Sequence, residues 1–203
     1  AWVWALSKFL DSHPRYRERF RRLSGSVLND NFNQLYRVTY RDDWDDLQLE
    51  WQRYVATLDY GYDIEREAFV EVPERPLPAK GAEATIAADR GWQSTGYRLE
   101  AGRTYELKAD GRFVIGRESD DTPWPCEANG ITLEYHAGRP LGMLLAAIDP
   151  GGDSKDRLAG FQKPVAVGLG TKLVSPHSGV LWLRVNDSPS RLAENEGEVT
   201  VTI

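Results

Sequence analysis

"VLWLRVNDSPSRLAENEGEVTVTI" fills residues 180–203, and its three parts differ in texture. "VLWLRV" (180–185) is apolar almost throughout, which marks a central strand. "EVTVTI" (198–203) alternates, with Val199, Val201 and Ile203 on one face and Glu198, Thr200 and Thr202 on the other. Between them, "NDSPSRLAENEG" (186–197) gathers the side-chain oxygens of Asn186, Asp187, Ser188, Glu194, Asn195 and Glu196. It reads as a loop joining two paired strands at one end of a sandwich, yet it exceeds the usual hairpin turn of about two to five residues. Asn, Asp, Ser, Pro and Gly are turn formers and explain part of this composition. Calcium, which takes about six to eight oxygen ligands, is the other reading.

Upstream lie more short runs punctuated by Gly, Pro and Asp: "YRLEAG" (97–102), "TYELKADG" (104–111), "FVIG" (113–116), "ITLEYHAG" (131–138), "LGMLLAAID" (141–149), "PVAVGLG" (164–170) and "KLVSPHSG" (172–179). Many short strands between turn clusters predict a β-sandwich or jelly roll over residues 84–203. "EVPERPLPAKGAE" (71–83) holds three prolines and a glycine and cannot continue a helix, so 66–83 reads as a linker.

Residues 1–65 have the helical period instead. Trp2, Leu6, Phe9 and Leu10 form one stripe, and Trp44, Leu47, Trp51, Tyr54, Val55 and Leu58 form another. The pattern predicts helices over 1–12, 15–37 (continuous or broken near Ser24) and 43–59, the last capped by Asp42 or Asp43. The fold class is therefore α+β, a short helical segment followed by an all-β sandwich. Ala1 enters the first stripe without an N-cap residue, as a piece of a larger helical domain would.

A net charge of −6, from 31 acids against 25 bases, argues against a general nucleic-acid binder. "RYRERFRRL" (15–23) is basic, but Tyr16, Phe20 and Leu23 recur within it at helical spacing, so it reads as a solvated helix face. No apolar run is long enough to span a membrane. The single Cys126 has no disulfide partner and no metal-ligand companion.

Catalytic signatures are missing. Of the three histidines His13, His136 and His177, none sits in a hydrolase motif, and each reads as a surface or turn residue. "HExxH", "GxxxxGK[ST]" and "GxGxxG" do not occur. The acidic clusters "DDWDD" and "ESDD" look like a helix start and a loop, and this chain is not expected to be an enzyme.

The runs "ADGRFVIG" (109–116), "GRPLGMLLAAI" (138–148), "KPVAVGLGTKLVSPHSGVLWLRVND" (163–187) and "NDSPSRLAENEGEVTV" (186–201) together resemble the small bacterial calcium-dependent galactose-binding lectins. The resemblance implies a galactose-binding-like jelly roll with Ca2+ as cofactor. Its ligand set would be the Ile115 carbonyl, the Asp187 carboxylate, the Arg191 carbonyl, and the Glu194 and Asn195 side chains, completed by two sugar hydroxyls. Glu194 replaces a family amide but keeps an oxygen. The Arg191 guanidinium replaces a smaller side chain and could fill the pocket by pairing with Asp187 or Glu194. In "PWPCEANG" (123–130), Asn129 stands for a sugar-binding amide, Cys126 for a sugar-binding histidine, and Trp124 could stack on a sugar face. Galactose preference is thus not carried over. An extracellular or periplasmic location follows by analogy alone.

"AWVWALSKFLDSHPRYRERFRRL" (1–23) and "FNQLYRVTYRDDWDDLQLEWQRYVATL" (32–58) resemble the helices that follow the zinc motif in gluzincin-type metallopeptidases. Three functions are therefore expected: a carbohydrate-binding-like module, calcium-dependent or not; a structural module that docks on other protein domains or chains; or the tail of a metallopeptidase whose zinc motif lies upstream.

Overall fold

The computed structural model describes residues 2–28, 30–152 and 154–203, without the side chains of 154–156; the reading of Ala1 as already helical lies outside the described residues. Helices α1 (Trp2–Ser12), α2 (Arg17–Leu23), α3 (Phe32–Thr39), α4 (Trp44–Thr57) and α5 (Ile64–Glu67) come first. Strands β1 (Arg75–Pro76), β2 (Glu83–Ala87), β3 (Gln93–Leu99), β4 (Thr104–Asp110), β5 (Phe113–Arg117), β6 (Pro123–Cys126), β7 (Asn129–His136) and β8 (Arg139–Asp149) follow. Helix α6 (Ser154–Gln162) then precedes β9 (Val165–Ala166), β10 (Gly170–Val174), β11 (Gly179–Val185) and β12 (Glu198–Thr202).

The fold is α+β with a β-sandwich. One sheet runs β1-β3-β11-β8-β7 with β9 added beside β8, the second runs β10-β4-β12-β2, and β5 and β6 form a separate ribbon. Leu181, Leu183 and Val185 of β11 meet Leu107, Val199 and Val201 of the facing sheet in the sandwich core. The opposite face of the same sheet is also covered. Trp182, Leu145 and Ala147 join Leu49 of α4 and Phe161 of α6 in a second core, alongside Trp92. Strand β11 is thus buried on both faces, which is why "VLWLRV" carries no polar alternation.

The helices have their own core of Phe9, Leu10, Tyr16, Leu23, Tyr40, Leu47, Tyr54 and Ile64. The predicted 15–37 helix is not continuous: α2 ends in a 3-10 turn at Ser24–Ser26, and α3 starts only at Phe32. Gly25, Asp30 and Asn31 are poor helix formers and fall where the helix breaks off. Asp43 occupies the α4 N-cap position but makes no cap hydrogen bond; its carboxylate pairs with Arg15 and Arg19 instead. Helix α6 was not expected from the strand-like texture around it.

The 66–83 stretch is laid along the first sheet: Val70 bridges Gln93, and Arg75 and Pro76 pair in parallel with Tyr97 and Arg98. His13 is a further correction, being 2% exposed rather than a surface residue. Its Nε2 lies 2.6 Å from Glu50, whose carboxylate also accepts from the Tyr16 hydroxyl and the Phe69 N–H. Among the described residues no helix is long and apolar enough to cross a membrane.

Candidate functional site

The 186–197 segment is not a hairpin between paired strands. Strand β11 pairs with β3 and β8, whereas β12 pairs with β2 and β4, so the segment crosses from one sheet to the other. That crossing explains its length, and its interior is structured. Leu192 is fully buried and opens the 3-10 turn Leu192–Glu194. Glu196 exchanges backbone hydrogen bonds with Val114 of β5. The Pro189 carbonyl accepts the Asp63 N–H at the start of α5, 3.0 Å away.

Asn186 is a staple: its Nδ2 donates to the carbonyls of His136, Arg139 and Pro140 at the β7–β8 turn. Asp187 is fully buried. Its carboxylate accepts from the Ser188 N–H at 2.6 Å and from Asn195 Nδ2 at 2.9 Å. Burial pushes the Asp187 carboxyl above its ordinary range, against the opposing pull of those two donors and of the Arg191 and Arg184 charges.

Asn195 is 4% exposed. Its Nδ2 faces two oxygens, those of Ala88 and Asp187. A flipped amide would set its oxygen against both, so the orientation is fixed. Asn195 Oδ1 is then buried without a hydrogen-bond partner among the described residues. An orphaned amide oxygen on the residue that braces a buried carboxylate is a costly arrangement that a cation would relieve.

Arg191 does not reach Asp187 as an ion pair. Its guanidinium pairs with Glu134 of β7 and lies 3.5 Å from Glu194. It also sits 6.0 Å over the Trp124 ring. Gly116 lets this layer approach β5, because a Cβ there would come within 3.2 Å of Arg191 Nη2 and 3.3 Å of Trp124 Cε3. Desolvation opposes the Arg191 charge, but Glu134, Asp187 and Glu194 more than offset it and hold the guanidinium protonated.

Of the sequence-predicted residues, Asp187 and Asn195 touch directly, and Ile115 is buried in β5 where the β5–β6 register breaks. Arg191, Glu194 and Trp124 form the outer layer, and the Trp124 indole N–H donates to Glu118. Asn129 is engaged elsewhere: its amide oxygen accepts the Leu169 N–H at 2.8 Å. Cys126, at the position of the lectin histidine, is buried, and burial pushes its thiol up to about 11. Glu134 escaped sequence reasoning, for nothing local links it to a loop 57 residues away. Among the described residues no three His, Cys, Asp or Glu side chains form a metal-binding group. A cation here would therefore depend on amide and backbone oxygens as well as carboxylates.

No family model matches the chain, its helical half included. No curated protein matches it in sequence. Among solved structures, one described as "EclA N-terminal domain; PllA-like lectin" is similar to 59% of this chain and to 92% of its own, with 22% identity and a TM-score of 0.42.

Proposed function

We propose that the chain is a non-catalytic, carbohydrate-binding-like module whose ligand site is the sheet-crossing 186–197 segment, organised around a bound calcium ion. The observation that carries this reading is the buried, partnerless Asn195 Oδ1 beside the buried Asp187 carboxylate. Hard oxygen donors of this kind suit calcium better than a soft transition metal. The carbonyls of Ile115 and Arg191, the Asp187 carboxylate, Asn195 Oδ1 and the Glu194 carboxylate would hold it. The ion would supply a Lewis-acidic centre for sugar hydroxyls. Trp124 offers an aromatic face beside it, and Asp187 and Asn195 orient the pocket through their mutual hydrogen bond. An extracellular or periplasmic location goes with this reading by analogy alone.

The test is calorimetric titration with calcium, followed by a panel of monosaccharides with calcium present. Heat of calcium binding that Asp187→Asn abolishes supports the reading; no heat from calcium or from any sugar overturns it.

A second reading has its own observation. The first turn of helix α1 leaves Trp2 (64%), Val3 (81%) and Trp4 (70%) exposed around its circumference, apolar surface that a partner protein would cover. Light scattering separates the two, because a monomer at high concentration that still binds calcium favours the first.

A further inference from the structure

Resting on the calcium reading, we infer that Arg191 is a tethered competitor for the cation, so that the side chain closing the pocket sets the calcium affinity of this chain. The guanidinium and the ion require the same carboxylate. Glu194 lies 3.5 Å from Arg191 Nε, and it is also the exposed carboxylate that would complete the calcium shell from the loop. Two cations cannot both use it without repulsion, and the Arg191 charge already acts on Asp187.

The competitor is anchored outside the ligand set. Glu134 of β7 holds Nη1, Trp124 lies beneath the guanidinium, and Gly116 leaves the space for both. The Arg191–Glu194 contact that calcium must break is partly solvent-exposed, with Arg191 29% and Glu194 50% accessible. Such pairs are weak enough to be displaced. Calcium entry would swing the guanidinium away from Glu194 while Glu134 still holds its far end. The Arg191 carbonyl belongs to the backbone, so removing the side chain deletes the competitor and spares the proposed ligand.

Calcium titration of the full chain and of Arg191→Ala tests this, with tryptophan emission followed in parallel. Arg191→Ala is expected to bind calcium about tenfold more tightly, equivalent to ~1.4 kcal/mol. Arg191→Lys, which keeps a charge but loses the planar fork, should fall between them and serves if the alanine variant folds poorly. Calcium should change the emission of the parent chain and leave that of Trp124→Phe largely unchanged. Glu134→Gln should weaken calcium binding in the parent chain and have no effect in the Arg191→Ala background, where no guanidinium remains to be released. Equal affinities for the parent chain and Arg191→Ala would overturn the competitor role and leave the calcium reading intact. No binding by either would overturn both.

Discussion

Two buried polar clusters sit a short way apart along β11, and they are built to different rules. At the junction of helices and sheet, Glu67 takes Arg184 through both its oxygens, at 2.8 and 3.3 Å, with Arg53 at 3.6 Å. Arg53 also donates to the Phe161 carbonyl. The Asp187 carboxylate, by contrast, accepts from one backbone N–H and one amide, while the Asp187 carbonyl accepts from Arg184 Nη2 at 3.1 Å and so links the two clusters. The first cluster is closed by charge, two guanidiniums sharing one carboxylate, and it ties α4 and α5 to the sheet. The second leaves an amide oxygen without a donor among the described residues. Burial alone therefore does not set the character of a polar cluster; whether each buried oxygen meets a donor does.

The comparison is broken most directly at Glu67. Glu67→Leu leaves Arg53 and Arg184 buried without a counter-charge, which typically costs about 3–5 kcal/mol. Urea denaturation should show a loss of that size, and a loss below about 1 kcal/mol would mean that the cluster is not closed. Asp187→Asn should cost less. Both carboxylate oxygens accept, one from the Ser188 N–H and one from Asn195 Nδ2, so an amide sets its NH2 against one of these donors at a cost of about 1–3 kcal/mol, offset in part by removal of a buried charge. The larger difference should appear with the ion. At calcium one hundred times its Kd the parent should gain about 2.7 kcal/mol, and Asp187→Asn should gain nothing. Thermal melts with calcium and with a chelator read both quantities.

Most of the first cluster and part of the second were legible in the sequence only after the fold was known. The period-2 alternation of "EVTVTI" correctly put Val199 and Val201 inside, because one face of β12 meets the core and the other meets solvent. The apolar run "VLWLRV" announced a central strand, but nothing in it reveals that Arg184 points into a buried ion pair with a residue 117 positions away. Asp187 and Asn195 stood out because loop acids and amides eight residues apart can converge. Glu134 and Glu67 did not, since their partners are set by which strands become neighbours. Asn129 shows the same dependence on strand neighbours: its amide oxygen faces the 168–169 turn, a contact no local pattern announces.

The helical half sharpens the contrast with a surface version of the closed cluster. Asp43 is partly buried, which would raise its carboxyl, but the hydrogen bond from Arg19 and the charges of Arg15 and Arg19 prevail and hold it below its ordinary value of 3.8. A carboxyl lowered on folding stabilises the native state above the unfolded value, and this contribution is lost as pH falls through the folded one. Urea midpoints should therefore decline below about pH 4, and Arg19→Ala should make that decline shallower. An unchanged acid limb in the variant would show that the pair contributes no linkage.

The smallest effect belongs to Asn129. Its one hydrogen bond to the Leu169 N–H lies at an exposed turn, where a neutral bond is worth about 0.5–1.5 kcal/mol. Gly168 presses against the same amide, since a Cβ there would lie 2.4 Å from Asn129 Oδ1. The side chain is thus part of how β7 is fastened to the turn before β10. Asn129→Ala should cost stability of that order and leave calcium and sugar titrations unchanged. A variant that kept its stability but lost sugar binding would return Asn129 to the ligand set.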